Sequence, residues 1–225
     1  ALKEKELEQA MNKAIDEGTY IVESAANMEM IWCKPGSFMM GSPETEGGRV
    51  EAETQHMVTL TKGFFLGKYE VTQEEYEKVM KKNPSKFKGK KLPIEQVSWN
   101  GAMEFCKKLT RLDRKNRKLP KGWMYTLPTE AQWEYACRAG TTTVYSWGNQ
   151  INPKLANYKN SKIGKTIEVG SYKPNPWGLY DMNGNVWEWV SDWRANNSNL
   201  AVNDPRGPVL GKSRVRKGGS WMNGG

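Results

Sequence analysis

The residues of this chain best suited to chemistry crowd into "LYDMNGNVWEWVSDW" (Leu179–Trp193), where three acids and two Asn surround one Gly among three Trp. Oxygen donors at this density suit a hard divalent cation, since calcium takes about six to eight carboxylate and carbonyl oxygens. Counted from Asp181, residues Asp181, Asn183, Asn185, Trp187 and Asp192 fall at the ligand positions of an EF-hand loop. That loop needs Gly for its sharp turn where this chain has Val186, and favours Glu where it has Asp192. Aromatic residues also replace the flanking helices, so the loop is not an EF-hand. Two readings stay open on spacing alone. In one, a tight turn at Gly184-Asn185 aims backbone carbonyls toward the carboxylates of Asp181 and Glu188. In the other, Asn183–Asn185 form a plain turn and Glu188 caps a helix or pairs with an Arg.

Other chemistries find less support. The chain has a single histidine, His56, in "AETQHMVTLT". A three-His iron or copper site cannot be built from it. A Ser-His-Asp or Cys-His relay would have to use this one residue, on or beside a strand, where it reads as structural or exposed. Cys33, Cys106 and Cys137 form neither a CxxC pair nor a zinc spacing. The net charge of +9 invites nucleic acid, but the densest basic run, "KKLTRLDRKNRKLPKG", is broken by Asp113 and carries no recognition motif. It reads as a solvated face, and no nucleic-acid partner is expected. No apolar run approaches the roughly 18–20 residues of a membrane span, and no signal-peptide pattern stands at the N-terminus. Localisation stays open, extracytoplasmic sites included.

Three capped helices must position these groups. Thr72 with Glu75 and Thr129 with Gln132 fit the reciprocal capping box, opening "TQEEYEKVMKK" and "TEAQWEYACRAG". Ser98 caps "SWNGAMEFCKKLTRL", whose Ala102, Phe105, Cys106 and Leu109 repeat at helical spacing and place Cys106 in a core. Cys137 lies one turn beyond Trp133 and shares its buried side. Met30–Ser42 reads as two short strands around a Pro-Gly turn, and His56–Thr72 as strand-rich. After Gly140, short aromatic strands and long loops are expected, as in "TTVYSWGN", "LANYKNS" and "IEVGSY". Residues 1–18 form a charged helical linker with a thin stripe of Leu7, Met11, Ala14 and Ile15, and residues 19–225 one domain. With 33 Gly and Pro residues the fold class is α+β, rich in loops and poor in regular secondary structure.

The blocks "GSFMMGS", "GKYEVTQEEYEKVM", "PIEQVSWNGAMEFCKKL", "LPTEAQWEYACRAGT", "SWGN", "GLYDMNGNVWEWVSDW" and "RVRKGGSW" occur in this order. Together they resemble the formylglycine-generating enzyme, or sulfatase-modifying factor, family from Met28 onward. The resemblance implies a fold similar to C-type lectins. It also implies structural calcium held by the side chains of Asp181 and Glu188 and the carbonyls of Gly184 and Val186. A second family calcium site matches Asn157 and the Tyr158 carbonyl, although its usual acid has no counterpart in the shorter "KNSKIGKTIEVGS". The enzyme's copper-binding cysteine pair falls after the block matching "GGSW", in a C-terminal segment this sequence, ending at Gly225, does not include. Cys33, Cys106 and Cys137 match neither member of that pair. Cys106 and Cys137 resemble family cysteines that find partners in the same absent segment.

Two functions follow from the resemblance. The first is a non-catalytic binding or accessory module with a protein or peptide partner. It would be of the variable-protein type associated with diversity-generating retroelements, or a signalling or lipoprotein accessory. The second is a copper-dependent oxidase that converts a sulfatase cysteine to formylglycine, with its cysteine pair beyond Gly225. The superfamily's three-His iron branch is excluded by the single histidine.

Overall fold

The computed structural model describes residues 2–17, 24, 26–195 and 200–224. The expected domain boundary at residues 18 and 19, and the side chain of Ala14, lie outside what is described. The N-terminal segment forms α1 (Leu2–Glu17). Its Leu7 and Ile15 are half-buried and Met11 is fully buried, so the helix lies on the body rather than standing off as a linker.

Among the described residues seven short strands form: β1 (Met30–Cys33), β2 (Gly36–Met40), β3 (His56–Leu60), β4 (Phe64–Gly67), β5 (Glu188–Trp193), β6 (Val202–Asn203) and β7 (Arg214–Lys217). They form three small sheets instead of one. The Pro-Gly turn between β1 and β2 sends them apart: β1 pairs antiparallel with β4, and β2 with β3. A parallel β3–β6 contact and an antiparallel β5–β7 pair complete the set. The aromatic segments expected as strands between Gly140 and Val186 form turns, with a 3₁₀ turn over Lys159–Ser161 and an isolated Tyr145–Gly148 bridge. Gly148, Gly164 and Gly170 stand at positive φ among these segments and favour turns over a ladder.

The helices start where their caps place them. Thr72 and Glu75 close a reciprocal box on α2 (Gln73–Met80), and Thr129 with Gln132 does the same for α4 (Glu130–Arg138). Ser98 accepts from the Gly101 N–H to open α3 (Trp99–Lys115). One face of α3 packs Phe105, Cys106 and Leu109 on Tyr76 of α2, with the Tyr76 and Phe105 rings stacked at 5.4 Å.

Helix α4 is buried on two faces. Trp133 and Ala136 meet Cys33, Leu179, Met182 and Val190 on one side, while Ala131 and Tyr135 meet Met40, Val58 and Leu60 on the other. A buried charge network ties this helix to its neighbours. Lys217 Nζ lies 3.3 Å from Glu130 and 3.2 Å from Glu134. Arg138 pairs with Glu134 at 2.9 Å and donates to the Gly41 carbonyl. Burial opposes the Glu134 charge, but Lys217 and Arg138 outweigh it and hold the carboxyl below its usual range. His56 is buried in β3, with its ring Nδ1 3.0 Å from the Thr54 carbonyl, a structural position.

Candidate functional site

The segment from Asp181 to Trp187 leaves the core at Tyr180 and enters β5 at Glu188. Its path needs three left-handed residues, Asp181 (φ 55°), Gly184 (φ 95°) and Asn185 (φ 52°). Asn and Asp tolerate that region. Gly184 has a further reason: a Cβ there would stand 2.4 Å from the Asn157 carbonyl oxygen. Backbone bonds pin the turn, as Gly184 N–H donates to Gly218 at 2.7 Å and Asn185 N–H to Asn157 at 2.8 Å. Trp221 N–H donates to the Asn185 carbonyl at 3.1 Å, tying the turn to the chain after β7.

The side chain of Asn185, 1% exposed, is the hub beneath the turn. Its Nδ2 donates to Glu70 at 2.6 Å, and its Oδ1 accepts from Ile167 N–H at 3.0 Å and Asn157 Nδ2 at 3.2 Å. Glu70 also accepts from the Val186 N–H at 2.9 Å. A third acid thus joins the two expected from sequence. Glu70 comes from the chain after β4, far from Asp181 in sequence. No spacing rule points to it, and only its presence in the block "GKYEVT" could have drawn notice.

Burial, then the charges of Asp181 and Glu188, drives the Glu70 pKa well above the carboxylate range. Glu188 is pushed up to about 7, first by burial and also by Asp181, with the nearby Trp133 indole opposing. Asp181 is raised by burial while its Oδ2 accepts from Gly170 N–H at 2.6 Å. Among the described residues none of the three acids has a Lys or Arg ion partner. Lys217 sits opposite Glu188 in the ladder but turns to Glu130 and Glu134.

These oxygens form a donor set suited to a hard cation. Among the described residues, the carbonyls of Gly184 and Val186 accept no hydrogen bond. Trp133 Nε1 is buried without a partner in hydrogen-bond geometry. Asp181 is buried and Glu188 half-buried, and mixed carboxylate and carbonyl oxygen of this kind is the chemistry that calcium accepts. No group of three or more His, Cys, Asp or Glu is arranged to hold a metal among the described residues, so carbonyls are indispensable to any such site.

The other expected pair differs. Ser161 Oγ lies 3.0 Å from Asn157 Oδ1 and 2.7 Å from the Tyr158 carbonyl. The two oxygens are brought together, but Ser161 already serves both: its N–H donates to the Tyr158 carbonyl at 2.9 Å, which leaves its single hydroxyl proton for Asn157 Oδ1. Thr166 Oγ1, buried in the following loop, has no partner.

Beside the turn, β5 and β7 build an aromatic–cationic face. The Arg214 guanidinium lies between the rings of Trp193 and Trp99, 3.6 and 3.8 Å from their centroids. Arg216 lies 5.4 Å from Trp187 and 5.6 Å from Trp189. Trp189 and Trp99 anchor the ladder by donating to the carbonyls of Val97 and Val190.

Of the thiols, Cys137 lies against the turn, where Asn183 Nδ2 stands 3.7 Å from its sulfur. Cys33, Cys106 and Cys137 are free, and burial pushes each up to about 12.

An α+β scaffold of small sheets, threaded by long loops around a carboxylate-bearing turn, defines the class. Residues 19–224 match the sulfatase-modifying factor enzyme 1-like domain, and the chain belongs to that family. The mouse protein named formylglycine-generating enzyme is 39% identical over 145 residues, covering 58% of this chain and 35% of that protein. The match therefore spans about a third of that relative's length. The chaperone protein LppX of Paenibacillus barcinonensis is 33% identical over 214 residues, covering 74% of this chain and 71% of that one. Among solved structures, Treponema denticola variable protein 1 superposes with a TM-score of 0.79 at 31% identity, covering 92% of this chain and 88% of that one.

Proposed function

We propose that this chain is a non-catalytic binding or accessory module of its family, of the variable-protein or signalling-associated type, acting on a protein or peptide partner. The observation that carries the reading is the likeness to Treponema denticola variable protein 1, at 31% identity and a TM-score of 0.79 over 92% of this chain. The likeness to the chaperone protein LppX over 74% of this chain supports the same side.

Calcium is proposed as the structural ion, held by Asp181, Glu188 and the carbonyls of Gly184 and Val186. The acids without cationic partners and the two free carbonyls support it. At Asn157 and Tyr158, Ser161 stands in for an ion, so calcium there is the weaker half of the proposal.

A second reading, a copper-dependent formylglycine-generating oxidase acting on a sulfatase cysteine, is favoured by the 39% identity to the mouse enzyme. Its copper thiols would lie in sequence following Gly225. The test is incubation of this chain with copper and a sulfatase-type cysteine peptide, with aldehyde read by hydrazide capture and mass. No aldehyde above the protein-free control is expected. Catalytic turnover would overturn the module reading.

A further inference from the structure

The long connection between β5 and β7 carries the least protected apolar side chains of the fold. Val209 is 91% and Leu210 82% exposed, more than any other large apolar residue among the described residues. The segment around them is built and not slack. Before the tip, β6 pairs with β3, and Asp204 accepts from Thr61 N–H at 2.9 Å. After it, the Ser213 carbonyl accepts from Arg194 N–H at 2.8 Å. Two glycines seat the loop on β5. A Cβ on Gly207 would stand 3.1 Å from Asp192 Oδ1, and one on Gly211 would stand 2.7 Å from Trp193 Cβ. Between these two footings, Pro208, Val209 and Leu210 are thrust outward.

Charge surrounds the tip. Over residues 194–213 the sequence has Arg194, Arg206 and Lys212 against the single acid Asp204. All three cations are exposed, and none has a carboxylate in ion-pair reach among the described residues.

We propose that this loop tip is a peripheral membrane contact, with Val209 and Leu210 entering the headgroup–acyl boundary of an anionic bilayer and Arg194, Arg206 and Lys212 meeting its phosphates. Binding of this kind scales with the apolar area buried and with attraction to anionic lipid. Long basic side chains keep their charge at the headgroup level while their stems follow the apolar tip inward. The net charge of +9 adds attraction from a distance. The contact lies on the surface of the bilayer, as no helix among the described residues is long and apolar enough to cross it.

The shape and charge of the tip favour lipid over protein. Two aliphatic side chains on a narrow projection offer a rigid partner little to pack against, whereas a fluid closes around them. A second copy docking tip to tip would set Arg206 and Lys212 against their own counterparts, a like-charge contact that disfavours the pair. Nor is the tip a seat for sequence following Gly225. The chain leaves β7 at the far end of the ladder, where Trp221 N–H donates to the Asn185 carbonyl and Asn223 accepts from Lys159 N–H. Cys106 lies in the α2–α3 cluster and Cys137 against Asn183, both away from this loop. The inference is independent of the module reading and holds for either proposed function.

The test is flotation of the full chain with vesicles of phosphatidylcholine, alone and with phosphatidylserine added, at low and high salt. Binding to the anionic vesicles is expected, weakening as salt rises. The double variant Val209→Ser, Leu210→Ser should lower the partition by about tenfold or more, at unchanged net charge. Lys212→Gln should lower it by about fivefold. In Leu210→Trp, lipids brominated on their acyl chains should quench emission beyond the quenching of the parent. Both tip residues are exposed, so the thermal midpoint should not move in these variants. Absence of binding to anionic vesicles overturns the proposal. Equal binding by the double serine variant also overturns it, because net charge alone would then explain adsorption. Self-association without vesicles that the same variant abolishes overturns it too, making a second copy the occupant.

Discussion

Removing calcium is expected to lower the thermal midpoint of this protein by about 5–10 °C. The magnitude follows from the donor set. Asp181 and Glu188 supply two carboxylates and Gly184 and Val186 two carbonyls, while burial drives the nearby Glu70 carboxyl well above its usual range. Sites of intermediate charge and rigidity bind calcium at about 10⁻⁵ M, so free ion at about a hundredfold excess stabilises the folded state by about 2.7 kcal/mol. For a chain of this size each kcal/mol moves the midpoint by about 2–4 °C. Unfolding followed by circular dichroism in excess calcium and in chelator reads the difference.

Asp181→Asn and Glu188→Gln supply the internal control. Both should abolish the calcium shift, yet in chelator both should be at least as stable as the parent. Each removes a carboxylate whose ionised form burial disfavours, and each keeps an oxygen acceptor in place. A midpoint indifferent to chelator would refute the reasoning. So would variants that lose stability equally with and without calcium, because the carboxylates would then be serving the fold directly.

Gly184→Ala should cost about 2–4 kcal/mol and erase the calcium shift, since its Cβ meets the Asn157 carbonyl at a positive φ; urea unfolding checks it, and a cost within error would argue for a different turn. Lys217→Met should destabilise by about 3–5 kcal/mol by leaving Glu130 and Glu134 with too little positive charge. Adding Glu130→Gln should recover part of that loss, and a neutral Lys217→Met would show the network to be idle. In the native protein Cys33 and Cys106 should react with a disulfide probe at neutral pH far more slowly than in urea, and fast reaction of either would contradict its burial.

The helix starts were legible because capping is local chemistry: Thr72, Ser98 and Thr129 each accept the backbone N–H expected from the residues that follow them. The burial of Cys106 was legible for a similar reason, since helical periodicity places it beside Phe105 and Leu109. The aromatic segments after Gly140 misled, because aromatic content signals burial and not a ladder. Met11 misled in the other direction. A thin apolar stripe cannot announce whether the body offers it a seat.

By itself, the sequence determined the family, the α+β class, the capped helices and the turn at Gly184-Asn185, all of which rest on neighbouring residues or ordered motifs. Only the tertiary structure decided that Glu70 joins Asp181 and Glu188, that Ser161 serves Asn157 and Tyr158, and that Arg214 lies between Trp99 and Trp193. Each of those facts is a meeting of residues far apart in the chain. Their energies come from desolvation and charge in a shared interior, which has no address along the sequence until the chain has folded.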